Sequence, residues 1–162
     1  MMRHAVLALT ALLLSGCAFS PMYAQGGSGA VARGLGEIAV PAIPGKAGWL
    51  VRNALEDRLG RPDAATPRYR LDVRLDDSLE GLAVLADDTV SRERRTLRAR
   101  YQLVDTATDT ILLDATDGSD AGIDVVSSEY ATIAAEETAL ENLSREIADR
   151  IVTRVALTLR AQ

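Results

Sequence analysis

Arginine recurs at alternating positions in two stretches of this 162-residue chain, "RYRLDVRLD" at residues 68–76 and "RERRTLRAR" at residues 92–100. If both stretches are strands, most of these guanidinium groups share one side of the sheet. That side would hold Arg68, Arg70, Arg74, Arg94, Arg98 and Arg100 against Asp72 and Asp76, a formal charge of +4. Guanidinium groups bind phosphate and carboxylate in a bidentate way, so such a face can bind a polyanion or a phosphorylated lipid. It can equally be a solvated face that cross-strand pairs with Asp72, Asp76 and Asp114 partly neutralise.

Carboxylates cluster at three places: Asp76-Asp77, Asp87-Asp88 and the stretch "DATDGSDAGID" at residues 114–124. Grouped carboxylates can bind calcium or hydrolyse glycosides. Their spacing here matches no EF-hand loop, and Asp beside Gly and Ser is typical of turns. We therefore predict no metal site and no catalytic site.

Cys17 is the only cysteine, and it follows a short apolar run. Arg3 and His4 precede this run at residues 5–14, which is the layout of a secretory signal peptide. A membrane-spanning helix needs about 20 apolar residues, roughly twice as many. The stretch "LSGC" at residues 14–17 resembles the bacterial lipoprotein box, which implies cleavage before Cys17 and lipid on its sulfur and on the new amine. The alternatives are an ordinary signal peptide cut near Ala18 or Ala24, or a free buried thiol.

The predicted lipid would hold the mature protein on a membrane permanently, because each buried methylene contributes about 0.8 kcal/mol. Bacterial lipoproteins with Asp directly after the lipidated cysteine tend to stay in the inner membrane, and this chain has Ala18 there. We therefore predict a lipid-anchored protein of the outer membrane that faces the periplasm.

The mature chain would be acidic and poor in reactive side chains. Cleavage after residue 16 removes Arg3 from the 18 basic residues and leaves 17 against 23 acidic ones, a formal charge of −6. That charge argues against general nucleic-acid binding. Cleavage also removes His4, the only histidine, and lipidation consumes the only thiol. We therefore predict that the protein is not an enzyme and holds no cofactor.

The chain divides into three parts. Residues 1–16 form the predicted signal peptide. Residues 17–34 form the lipidated N-terminus and a flexible linker, because residues 24–34 are small, glycine-rich and nearly uncharged. Residues 35–162 suffice for one compact domain with a single core.

Apolar periodicity predicts six elements in that domain. A short strand at residues 38–40 precedes a helix that stops near Gly60, and strict alternation predicts strands at residues 69–76 and 97–103. After a turn at Thr108-Asp109, a third long strand is predicted to point Ile111, Leu113 and Ala115 inward and Leu112 outward. A helix over residues 129–160 ends the chain. Together these elements predict an α+β two-layer sandwich, with two helices on one face of a four-stranded, mainly antiparallel sheet.

The segment at residues 77–95 lies between the two long strands and lacks their clean alternation. It can extend the hairpin beyond the helices or form an irregular loop. If it extends the hairpin, its apolar residues Leu82, Val84 and Leu85 are candidate contacts with a partner. If it folds back, they lie under the sheet.

Four stretches resemble the lipopolysaccharide-assembly lipoprotein family, LptE: "LSGCAFSPMY", "PGKAGWLVRNALEDRL", "RRTLRARYQLVDTATDTILL" and "SSEYATIAAEETALENLSREIADRIVTRVAL". The last stretch, with "YATIAAEE" leading into a long amphipathic helix, is the most specific. The resemblance implies a non-catalytic protein that sits inside and stabilises a large β-barrel, the LptD-like translocon that inserts lipopolysaccharide into the outer leaflet.

The resemblance also implies that the protein binds lipopolysaccharide, whose phosphates and carboxylates suit an arginine face. The family's binding residues are basic and lie toward the hairpin. This makes Arg92, Arg94, Arg95 and Arg98 the first choices, followed by Arg100, Arg70 and Arg74.

Two other classes of protein stay open. An accessory lipoprotein of a lipid-transporting ABC system would share the anchor, the linker and a small α/β domain, but it would bind a periplasmic partner instead of a barrel. A carboxylate-based envelope hydrolase would lose its activity on substitution of Asp87 or Asp88. The identity of the bound partner separates the first two classes.

Overall fold

The computed structural model describes residues 30–60, 67–84 and 90–161. Its helices are α1 (Ala30–Gly36), α2 (Gly45–Leu59) and α3 (Glu129–Arg160), and its strands are β1 (Ile38–Ala39), β2 (Tyr69–Val84), β3 (Val90–Asp105) and β4 (Thr110–Asp124). The strands form one sheet in the order β1-β2-β3-β4. β1 pairs with β2 in parallel, and the other pairings are antiparallel. The predicted α+β fold, with helices packed on a four-stranded sheet, is confirmed.

Alternation gives the sheet one apolar face, which we call the inner face because the helices cover it. Leu71 lies opposite Leu103 and Val73 lies opposite Tyr101, and all four side chains are buried. The opposite side of the sheet, the outer face, carries the intervening polar residues. The prediction of these two strands from their alternation is therefore correct.

The long strands extend well past the apolar alternation. Beyond Leu75 and Leu97 both faces of the β2–β3 hairpin are largely polar, yet the pairing continues to Val84 and Val90. β4 was predicted to reach about Ala115, but it pairs with β3 as far as Asp124. Cross-strand hydrogen bonds hold this extension, and an apolar pattern does not reveal them.

The start of β4 corrects one predicted orientation. Ile111 was predicted to point inward, yet it is 53% exposed, whereas Leu112 packs against the core. The pairing shifts between Leu103 and Val104, whose partners are Leu113 and Ile111. One extra β4 residue therefore stands opposite this point, and such a bulge reverses the alternation for the residues before it.

The two long helices run in the same direction. The Lys46 ammonium donates to Glu137 at 2.5 Å, and the Arg58 guanidinium donates to Asp149. Both pairs join residues 91 positions apart, so α2 and α3 pass each other in parallel. α3 begins at its predicted residue, where the Ser128 hydroxyl accepts a hydrogen bond from the Ala131 N–H at 3.4 Å.

The linker prediction for residues 17–34 differs from the structure at its end. Residues 30–34 belong to helix α1, and Leu35 is 5% exposed. A side chain at Gly34 would come within 3.3 Å of Leu159 near the end of α3. Packing against α3 therefore orders a glycine-rich segment whose composition alone indicates flexibility.

Candidate functional site

The outer face consists of three parallel rows of side chains. The middle row, on β3, has four arginines and no acidic residue. Alternation and register place the following residues on this face: Arg70, Asp72, Arg74, Asp76 and Glu80 on β2; Arg92, Arg94, Arg98 and Arg100 on β3; Asp114, Asp120 and Asp124 on β4. Six of the seven arginines proposed from the sequence therefore share one surface.

The net charge of this surface differs from the predicted +4. Six arginines stand among six carboxylates, so the outer face of the three long strands is formally neutral. The prediction omitted Glu80 and most of the β4 row because it ended both strands too early. The outer face is thus a row of arginines between two mainly acidic rows, and not a uniformly basic surface.

Several of these arginines are paired. Arg100 lies 3.1 Å from Asp114, Arg92 lies 3.3 Å from Asp124, and Arg94 lies 3.7 Å from Asp120. On β2, Arg70 pairs with Asp72 at 3.0 Å. Hydrogen bonds from Arg100 and Gln102 lower the pKa of Asp114. These pairs are exposed, so they contribute little to folding and can exchange partners.

Arg74 and Arg98 differ from the other arginines of the face. Among the described residues, no carboxylate lies within 4 Å of either guanidinium. Arg74 stands directly opposite Arg100, and Arg98 stands opposite Asp76. Beside Arg74 and Arg100 is a hollow of about 440 Å³, which residues 41–43, Asp72, Val73 and Gln102 also line; Asp72 is paired with Arg70. An anionic group can therefore reach two guanidinium groups here.

Arg95 lies on the inner face, away from the other candidates. Its guanidinium donates to Asp77 at 2.9 and 2.7 Å and to the Glu136 carbonyl of α3 at 3.2 Å. The hydrogen bond to Asp77 raises the pKa of Arg95. Because it follows Arg94 directly, alternation turns it to the other side of the sheet. It joins the hairpin to α3 and is not part of the arginine row.

Of the predicted partner contacts, Leu82 and Val84 lie in β2 at the end of the sheet where β2 ends and β3 begins. We call this end the distal end; β4 ends and α3 begins there. Leu82 is 45% exposed. Val84 ends β2, whereas Leu85 lies outside the described residues. Cys17, Asp87 and Asp88 also lie outside them.

Sequence reasoning missed four further residues at the distal end. Leu79, Val126, Tyr130 and Ile133 are large, apolar or aromatic, and exposed; with Leu82 we call them the distal patch. Tyr130, the first residue of the "YATIAAEE" motif, is 83% exposed. Ile133 continues the apolar stripe of α3, and the periodicity of that stripe does not show that it is half-exposed. The exposed apolar surface suggests a contact with a partner.

The two carboxylate clusters that the structure describes, Asp76-Asp77 and residues 114–124, form no recognisable reaction centre. Asp76 and Asp77 point to opposite faces, and Asp77 is bound by Arg95. Within the described part of the chain, no three acidic or metal-ligating residues converge to hold a metal ion. None of the described helices is long and apolar enough to cross a bilayer.

Comparison with known proteins places the fold. The family model described as LptE, lipopolysaccharide-assembly, matches residues 35–155, which include all four strands and helix α2. The chain therefore belongs to the LptE lipopolysaccharide-assembly family, whose members are accessory lipoproteins, and the resemblance seen in the sequence is confirmed. No curated protein matches the sequence.

Three solved structures share the fold. A lipoprotein from Caulobacter crescentus CB15 has a TM-score of 0.69 and 23% identity over 82% of this chain and 97% of that chain. Rare lipoprotein B from Shewanella oneidensis has a TM-score of 0.54 and 14% identity over 75% and 92%. Lipoprotein B from Nitrosomonas europaea has a TM-score of 0.55 and 15% identity over 74% and 79%.

Proposed function

We propose that this protein is a non-catalytic outer-membrane lipoprotein, anchored through lipid on Cys17, that stabilises and plugs the LptD-like β-barrel and binds lipopolysaccharide during its insertion. The family match over residues 35–155 carries this proposal, because it covers the whole sheet and most of α3. The match also favours this role over that of an ABC-system lipoprotein. Because the family is one of non-catalytic lipoproteins, the match also favours this role over that of a hydrolase.

The distal patch is the part of the molecule that would contact the barrel. Its five side chains are exposed and lie at the distal end of the sheet. Burying them in a partner would remove apolar area from water and drive association. A rigid sheet of three paired strands of 15 or 16 residues would carry this patch into the barrel lumen.

The six arginines of the outer face would bind the phosphates and carboxylates of lipopolysaccharide. Arg74 and Arg98 are the first choices, since they do not have to leave a carboxylate to bind a ligand, and Arg100 completes the hollow beside Arg74. Arg70, Arg92 and Arg94 are second choices, because each would exchange an aspartate for a ligand group. Arg95 is left out of this proposal, since Asp77 and α3 already bind its guanidinium.

The first experiment identifies the partner. The tagged full-length lipoprotein is purified from detergent-solubilised outer membranes, and the proteins that accompany it are identified by mass spectrometry. Recovery of one β-barrel translocon subunit in roughly equal amount supports the proposal. Recovery of ABC-system or periplasmic components without a barrel overturns it in favour of the accessory-lipoprotein role.

The second experiment tests the arginines of the outer face. The double variant Arg74→Ala/Arg98→Ala is compared with Arg145→Ala/Arg160→Ala, which removes the same charge from α3. Binding of purified lipopolysaccharide is expected to weaken by about tenfold in the first variant, which corresponds to about 1.4 kcal/mol, and to stay unchanged in the second. Equal weakening in both variants would mean that net charge alone explains the loss of binding, and it would contradict a site on the outer face.

A further inference from the structure

β4 forms one edge of the sheet, and the direction of its backbone groups follows from the register and one hydrogen bond. The register is uninterrupted from Asp114 to Asp124. In the same register, the Val125 N–H donates to the Ser91 carbonyl at 3.1 Å, so odd-numbered residues bond toward β3. The even-numbered residues from Asp114 to Asp124 therefore point their N–H and C=O groups away from the sheet.

Among the described residues of helix α3, one side chain donates a hydrogen bond to an outward backbone group of this edge. The Arg150 guanidinium donates to the Gly118 carbonyl at 2.7 Å, and the neighbouring Ser119 hydroxyl donates to Glu146 at 2.9 Å. Beyond that point, no described residue bonds the outward groups of Asp120, Gly122 or Asp124. Arg150 thus divides the edge into two parts. The part beyond it, residues 120–124, has no strand paired with it among the described residues.

A groove of about 630 Å³ lies between this open edge and α3. The part of its α3 wall nearest the start of the helix has small side chains, and the whole wall consists of Ala134, Ala135, Thr138, Ala139, Asn142, Leu143 and Glu146. Strands in a sheet lie about 4.8 Å apart, and their alternate side chains point to one face. A strand added beside residues 120–124 would therefore direct alternate side chains into this groove.

The charge of β4 indicates the chemistry of the added strand. β4 carries Asp114, Asp117, Asp120 and Asp124 and no basic residue, and Glu146 lines the groove as well. Edge strands that avoid pairing often carry lysine, whereas the charged residues of this one are all carboxylates, of which Asp120 and Asp124 pair with Arg94 and Arg92 of β3. A second β4 would place Asp against Asp, so the complementary strand is basic.

We propose that the β4 edge at residues 120–124 is a docking site for an extended, basic segment of a partner protein, which adds a fifth strand to the sheet. Its main-chain groups pair with Asp120, Gly122 and Asp124. Its Lys or Arg side chains lie on the outer face beside Asp120 and Asp124, where they replace Arg94 and Arg92 as partners of these carboxylates, and the side chains between them enter the groove against α3. This site lies beside the distal patch, and it does not depend on the barrel's being the partner.

The test uses the full-length lipoprotein in detergent and an acetylated peptide of alternating Lys and Ala, with its alternating Glu and Ala counterpart as the charge control. Amide hydrogen exchange is followed by mass spectrometry. The Lys peptide is expected to slow exchange in fragments that cover residues 119–125 and in no other part of β4. Equal protection by the Glu peptide, or protection confined to other elements, would overturn the proposal. Protection that rises with protein concentration without peptide would assign the edge to a second copy of the chain and also overturn it.

Two variants and a matched control locate the site. Gly122→Pro removes an outward N–H, and Thr116→Pro removes an equivalent outward N–H on the other side of Arg150. Thr138→Trp fills the groove from an exposed helix position, so it keeps the test decisive if Gly122→Pro fails to fold. Loss of one main-chain hydrogen bond corresponds to about tenfold weaker peptide binding. We expect this loss in Gly122→Pro and Thr138→Trp but not in Thr116→Pro, and unchanged affinity in the first two contradicts the proposal.

Discussion

Arg94 and Arg95 show how strongly the two faces of the sheet separate neighbouring residues. Arg94 is exposed on the outer face, 3.7 Å from Asp120. Arg95 is mostly buried on the inner face, where Asp77 and the Glu136 carbonyl bind it. Two identical side chains with adjacent positions in the chain thus have different partners and different roles.

This difference predicts unequal costs of substitution. Arg95→Ala leaves the Asp77 carboxylate without its partner in a mostly buried position, so we expect the free energy of unfolding to fall by about 1–3 kcal/mol. Arg94→Ala removes an exposed pair, and we expect a change below about 0.5 kcal/mol. Urea denaturation of both variants measures this. Equal losses would mean that the inner-face pair does not hold the hairpin to α3.

The sequence predicted which arginines share the outer face, but it did not predict the net charge of that face. Strict alternation correctly grouped Arg70, Arg74, Arg98 and Arg100 on one face. Arg95 was proposed because it lies near the hairpin. Alternation alone would have placed it on the inner face. The neutral total was not predictable from the apolar pattern, since Glu80, Asp120 and Asp124 lie beyond the residues whose alternation predicted the strands.

At the scale of the elements, Gly48 controls how closely the chain before α2 approaches that helix. Gly48 is buried in α2, and a Cβ there would lie 2.4 Å from the Ile43 carbonyl oxygen, which belongs to the backbone. Gly36, at the end of α1, has no atom within 4 Å of the same position. The two helical glycines therefore form a matched pair.

We expect Gly48→Ala to lower the free energy of unfolding by about 1–3 kcal/mol, because a backbone atom has to move. Gly36→Ala is expected to raise it by up to about 1 kcal/mol, since Ala is the better helix former. Thermal or urea denaturation distinguishes the two signs. A neutral Gly48→Ala would show that residues 41–44 move away from α2 at no cost.

The contacts between α2 and α3 predict sensitivity to acid. Hydrogen bonding from Arg58 holds the pKa of Asp149 below its usual 3.8. In the unfolded chain this carboxyl titrates normally, so the stabilisation is present above about pH 4 and is lost as the pH falls through the lowered pKa of the folded state. Between about pH 5 and pH 2, we expect the free energy of unfolding to fall less in the Arg58→Ala variant than in the unchanged protein.

Arg145→Ala is the control for this experiment, because among the described residues Arg145 binds the Glu141 carbonyl and the Asn142 side chain and no carboxylate. It removes the same charge from helix α3, four residues before Asp149. The interpretation is contradicted if the two variants lose stability with the same dependence on pH.

The elements that the sequence predicted well are those whose form depends on burial. α3 and the apolar parts of β2 and β3 follow directly from periodicity. The second half of β4 and helix α1 were missed for a shared reason. Pairing with β3 holds the first, and packing against α3 holds the second, so both depend on partners distant in the chain.

At the scale of the whole molecule, exposed apolar residues at the two ends of α3 allow a matched test of the partner surface. Ile133, in the distal patch, is 48% exposed, and Leu157, near the other end, is 52% exposed. We expect Ile133→Ser to reduce co-purification of the β-barrel and Leu157→Ser to leave it unchanged. Neither variant should alter stability by more than about 0.5 kcal/mol. Loss of the barrel with Leu157→Ser alone would move the contact to the opposite end.

The parallel arrangement of α2 and α3 also governs the order in which the protein can fold. Contacts that join residues 91 positions apart form only after a long loop has closed, whereas the β2–β3 hairpin forms from neighbouring segments. α3 is the last element of the chain, and it covers β3 and β4 as well as the apolar stripe of α2. A nascent chain therefore keeps one face of its sheet uncovered until its final 32-residue helix has been released. During that interval it depends on whatever shields apolar surface in its compartment.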